Sequence, residues 1–162
     1  VREGRITISP FDEECVSVNS YIYHLADTLL LVEDTGDIDR TPTTKEFIIP
    51  PDGFILEPNK LYLGVTQEIM GSEYYVTSLG GRNRIGRLGM FVQICADLGQ
   101  LGKSHRWTLE INVIKKLKVY PFMQIGKVTF WMPKGEIDHS DTEFYATKDI
   151  PYPSTLFEQI HK

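Results

Sequence analysis

Short apolar, β-branched runs follow one another along most of this 162-residue chain, and glycine or proline interrupts nearly every gap between them. Residues 5–8 alternate polar and apolar, 28–32 are apolar after an opening threonine, and 47–49 run into Pro50-Pro51-Asp52-Gly53, a turn signal. Further runs fall at 54–57, 61–67, 73–79, 90–95, 107–113 and 124–132. Many short strands at this spacing argue for a barrel or sandwich. Helical signal is confined to 82–89, where Arg82, Ile85, Arg87 and Leu88 could form two turns that need tertiary support to persist. Residues 33–46 and 133–146 are polar and read as loops. The expected class is all-β, a barrel with few short helices.

Composition narrows the function. The length suits one domain over 1–162, and 41% apolar with 24% charged residues is a globular mix. A net charge of −5 argues against nucleic acid as a partner, so any phosphate site has to be a local cluster of cations. No apolar run approaches bilayer length and no charged-then-apolar leader opens the chain, so neither a membrane nor secretion is expected, and a cytoplasmic setting is. Val1 to Arg5 read as the end of an element, so about one short N-terminal element is expected to be lacking. Cys15 and Cys95 lie far apart and read as buried reduced thiols. His24, His105, His139 and His161 have no ligand spacing, and no metal site is expected.

Two features carry chemistry. Arg82, Arg84 and Arg87 lie within six residues between Gly80-Gly81 and Gly89. Glycines let backbone approach an anion, and arginines grip phosphate oxygens two at a time. The plainer alternative is a solvated basic turn or a subunit-interface ion pair. Glu110 lies on a defined face of an alternating strand, where most glutamates are simply solvated. Asp138-His139-Ser140-Asp141 reads as a polar loop, because sequence neighbours do not make a triad. Lys115-Lys116-Leu117-Lys118 reads as a solvated turn. Trp107 and Trp131 read as barrel core and subunit contacts.

Four stretches together resemble the dCTP deaminase branch of the dUTPase superfamily. They are Gly4-Arg5-Ile6 through Ile8-Ser9-Pro10-Phe11; Phe54 to Pro58 with Tyr62 to Thr66 and Gly71 to Val76; Gly81 to Gly89; and Trp107-Thr108-Leu109-Glu110 with Val119-Tyr120-Pro121 and Ile125-Gly126. Pro151 to Phe157 resemble the family's terminal segment. The resemblance implies a distorted jelly-roll, dUTPase-like β-barrel that assembles as a homotrimer, with each pyrimidine nucleotide site shared between subunits. It sets the catalytic glutamate at Glu110, with Arg87 nearby, and a phosphate loop at Arg82, Asn83 and Arg84. Ala96 and Gln100 fall where the family binds the nucleotide. Mg2+ is implied only as a rider on the phosphates, with no cofactor at the chemical step. Zinc deaminases carry H-x-E and P-C-x-x-C, and this chain has neither.

The departures matter as much. The family loop reads R-S-S-x-x-R, and both serines are replaced, by Asn83 and Arg84. Gln100 stands for the aspartate that recognises the sugar hydroxyl, Leu101 for a proline and Lys103 for an aromatic residue. In Ser20 to Ala26 the family's aspartate and arginine are gone, and Phe122 replaces a usual glycine. The lid ahead of the terminal segment is shortened within the tail 133–162, leaving Tyr145 and Lys148 as candidates to replace its contacts. The leading expectation is therefore metal-free deamination of a cytosine nucleotide, with an altered substrate. A catalytically degenerate nucleotide-binding or sensing trimer is the alternative. Pyrophosphate hydrolysis of the dUTPase kind is third, because the position of its water-orienting carboxylate is Gln100.

Overall fold

The computed structural model describes residues 1–33, 38–93, 95, 97–135 and 150–160. In chain order the strands are β1 (Thr7–Ser9), β2 (Tyr21–His24), β3 (Thr28–Val32), β4 (Thr44–Ile48), β5 (Phe54–Leu56), β6 (Leu61–Val65), β7 (Ile69–Ser72), β8 (Val76–Gly81), β9 (Met90–Gln93), β10 (Lys103–His105), β11 (Thr108–Val113), β12 (Leu117–Val119) and β13 (Gln124–Trp131). Among the described residues a 3-10 turn spans Glu13–Cys15 and there are two single-turn helices, α1 (Asn83–Gly86) and α2 (Phe157–Ile160).

Among the described residues all the strand pairings are antiparallel. They build a five-stranded sheet, β4-β3-β6-β11-β9, two three-stranded sheets, β1-β7-β10 and β2-β13-β8, and the pair β12-β5. The architecture is the all-β, jelly-roll-like one. Its core follows from strand alternation: on β11, Leu109, Ile111 and Val113 are essentially inaccessible, while Thr108, Glu110 and Asn112 take the other face. Leu25, Leu29, Tyr62, Met90, Ile125 and Val128 join the same cluster.

Several expectations change. The run 73–79 becomes strand only from Val76, and a strand not expected, β7, precedes it. Ser72 Oγ accepts the backbone N–H of Tyr74 (2.9 Å) and of Tyr75 (3.0 Å), which breaks the chain into β7 and β8. Polar residues 44–46, read as loop, open β4, whose pairing with apolar β3 outweighs their polarity at a sheet edge. Residues 34–37 lie outside the described residues. The basic stretch 115–118 is only partly a turn, since Leu117 and Lys118 enter β12 against Leu56 and Ile55. The helix at 82–89 shrinks to one turn, closed by Gly89 at φ +86 in the left-handed region that favours glycine. Phe122, standing where glycine is usual, holds φ +58.

Candidate active site

Glu110 owes its position to register. β11 lies between β6 and β9, with Glu110 opposite Leu63 on one side and Gln93 on the other. Alternation turns its half-buried side chain away from the core. The chain leaves β9 after Gln93, and Cys95 then places Sγ 3.0 Å from Glu110 Oε2, with the thiol as donor. Hydrogen bonding to Glu110, and then its charge, push the Cys95 thiol above its ordinary range. Cys95 is exposed, which corrects the expectation of two buried thiols: it lies past the strand end, on the outward face with Glu110. Cys15 is buried, and desolvation first, then Asp12 and Glu68, raise its pKa.

The arginine loop is built differently from end to end. Arg82, the half-buried residue before α1, donates its backbone N–H to Ile125 O (3.2 Å) and its guanidinium to the Gln124 side-chain oxygen. Ile85 anchors the turn in the core, which leaves Asn83, Arg84 and Arg87 exposed. No side chain caps this turn. Arg82, Asn83, Arg84 and Arg87 thus share one surface segment, as the sequence suggested. Arg87 and Glu110 do not meet within one chain. Arg87 precedes β9 at its Met90 end, opposite Val113, whereas Glu110 pairs with Gln93 at the other end. Three residues of strand put these ends about 10 Å apart. Among the described residues no ion pair joins Glu110 to any arginine.

Gln100 is exposed in a segment laid along β8: Leu98 bridges Ser78, and Gly99 N–H donates to Thr77 O at 2.7 Å. Gly99 is needed there, because a Cβ would come 2.0 Å from the buried Trp107 ring. Trp107 is core, as expected, while Trp131 is 61% exposed. Ala96, Tyr145, Lys148 and the Asp138–Asp141 loop lie outside the described residues.

Sequence reasoning missed one cluster. Glu68, 1% exposed, accepts the His24 backbone N–H (2.9 Å) and lies 2.6 Å from His24 Nδ1. His24 Nε2 is 3.9 Å from Cys15 Sγ, which also receives Gln124 Nε2 at 3.9 Å. The network thus leads from a buried carboxylate toward Arg82. The signal was present at His24, which stands at the position where the family resemblance expects arginine; its acidic partner was not recognised. A cleft of about 410 Å3 adjoins this cluster, lined by Phe11, Asp12, Tyr21 and Phe122 among others. A larger one, about 730 Å3, lies by Arg5, Ile8, Tyr75 and Phe130. Neither is lined by Glu110 or the loop arginines.

The dCTP deaminase-like family model matches residues 1–132. This chain belongs to that family. A curated relative from Clostridium beijerinckii named "dCTP deaminase, dUMP-forming" is 40% identical over 161 residues, covering 98% of this chain and 92% of the relative. One of the same name from Leptospira biflexa is 37% identical over 158 residues, covering 97% and 91%. Among solved structures, 2'-deoxycytidine 5'-triphosphate deaminase from Agrobacterium tumefaciens superposes with a TM-score of 0.65 at 16% identity, over 86% of this chain and 47% of that one. The structural likeness bears on the fold, and this chain spans about half the length of that deaminase. Among the described residues no helix is long and apolar enough to cross a membrane.

Proposed function

We propose that this protein hydrolytically deaminates a cytosine nucleotide to the uracil nucleotide. The observation that carries the reading is Glu110, an outward-facing strand carboxylate with one oxygen engaged by a thiol, in a chain of the dCTP deaminase-like family. In this reading water attacks C4 of the base while Glu110 takes its proton. Glu110 then delivers a proton to the exocyclic amine, the C4–N bond breaks, and ammonia leaves. Arg82, Asn83 and Arg84 grip the phosphates, Gln100 reaches the sugar, and Ala96, Tyr145 and Lys148 complete the nucleotide contacts. Arg87 reaches Glu110 from a neighbouring subunit of a homotrimer, which accounts for their separation in one chain. Mg2+ belongs to the substrate side, on the phosphate oxygens. Among the described residues no group of three or more His, Cys, Asp or Glu side chains could hold a metal ion.

The relatives' names favour a second reading, in which deamination is followed by loss of pyrophosphate, since dUMP cannot form from dCTP without it. Gln100 weighs against it here, because a neutral amide orients a water less strongly than a carboxylate. Gln100 also weakens recognition of the sugar hydroxyl, so dCTP is expected to rank below another cytosine nucleotide. The test is a panel of dCTP, CTP, dCMP and CMP, with ammonia and pyrophosphate measured separately. Ammonia from at least one nucleotide supports the reading. Tight binding without ammonia from any of them supports the degenerate binding trimer instead.

A further inference from the structure

Cys95 is exposed and yet engaged. Its Sγ lies 3.0 Å from Oε2 of Glu110, although fifteen residues of chain separate the two. The contact comes from the register: Glu110 faces Gln93 across the β9–β11 pair, and Cys95 is the residue two further on, where the chain has left the strand. A deprotonated thiol here would set two negative charges side by side. The carboxylate therefore keeps the thiol protonated and a donor around neutrality. Among the described residues nothing else bonds the Glu110 side chain, so Oε2 is engaged and Oε1 has no partner among them. A glutamate on a strand face turns freely about its last torsion, whereas a general base has to meet the proton it takes at hydrogen-bonding distance and in one orientation.

We infer that Cys95 is a positioning residue of the deamination site: its S–H holds Oε2 of Glu110 and so presents Oε1 to the attacking water. This role rests on the deaminase reading above. It differs from a structural role because Cys95 is not part of the packed core and touches the reaction only through Glu110.

The experiment measures kcat and KM for ammonia release by the wild-type, Cys95→Ala and Cys95→Ser proteins, using the cytosine nucleotide that the wild type turns over fastest. Melting curves check that all three are folded. Losing one hydrogen bond to a charged group predicts a fall in kcat of roughly tenfold for Cys95→Ala, with KM unchanged. Serine keeps a donor at the same position, so Cys95→Ser recovers most of that loss. Cys95→Ala turning over at the wild-type rate overturns the role, as does Cys95→Ser being as impaired as Cys95→Ala. Either result in an active wild type leaves the deaminase reading intact. A wild type that releases no ammonia from any cytosine nucleotide overturns that reading and this role with it.

Discussion

Replacing Glu68 should be strongly destabilising. Its carboxylate is 1% exposed and takes two contacts from one residue, the His24 backbone N–H at 2.9 Å and the imidazole Nδ1 at 2.6 Å. Each hydrogen bond to a charged group contributes about 1.5–3 kcal/mol. Glu68→Ala removes both bonds, strands the His24 N–H on β2 and opens a hole, so the expected loss is about 3–5 kcal/mol. For a chain of this size that lowers Tm by roughly 6–20 °C. Glu68→Gln keeps the shape and one acceptor, and the imidazole can change tautomer to meet the new amide, so its loss should be about 1–3 kcal/mol. Thermal melts at one fixed protein concentration measure both, since assembly makes Tm depend on concentration. A Glu68→Ala protein melting within about 2 °C of wild type, under 1 kcal/mol, would refute the claim that this cluster is a buried, stabilising one.

Other outcomes follow from the site. Arg82→Ala should weaken a cytosine triphosphate about tenfold to a hundredfold in calorimetry, one charged hydrogen-bonding group's worth; unchanged affinity would remove Arg82 from the phosphate site. Glu110→Gln should speed iodoacetamide labelling of Cys95 at about pH 8, because removing the carboxylate lowers the raised thiol pKa and increases the thiolate fraction; Cys15, being buried, should label slowly in both proteins. Light scattering in dilute buffer should give three times the chain mass, and a stable monomer that still turns over nucleotide would contradict a site shared between subunits.

The sequence made the barrel legible because its core strands are short apolar or alternating runs separated by turn residues. β3, β6, β11 and β13 appear close to where their apolar runs place them. It failed where pairing or a single side chain overrides local character. β10 (Lys-Ser-His) and the first residues of β4 are polar, and become strand only because β7 and β3 present partners. The break at Ser72 depends on a hydroxyl meeting two backbone donors, which periodicity does not encode. At the site, the shared surface segment of Arg82, Asn83, Arg84 and Arg87 was legible from spacing, whereas Glu110 was singled out by the family resemblance, because residue type and alternation alone make it a solvated strand carboxylate. The distance between Arg87 and Glu110 was not, because it depends on which end of β9 pairs with which residue of β11. Cys95 was misjudged as a buried thiol for a related reason: a residue's face is undefined once the chain has left its strand. The Glu68–His24 pair joins residues 44 apart, and no local pattern announces such a contact.

The central claim is that Glu110 moves the protons of deamination. It is tested most directly by ammonia release from the best cytosine nucleotide, compared between wild type and Glu110→Gln, with nucleotide affinity measured on both. Glutamine keeps the shape but cannot accept the proton, so the rate should fall by roughly a hundredfold or more while affinity stays close to wild type. Equal ammonia release by the two proteins would contradict the account and return Glu110 to the status of a solvated strand carboxylate.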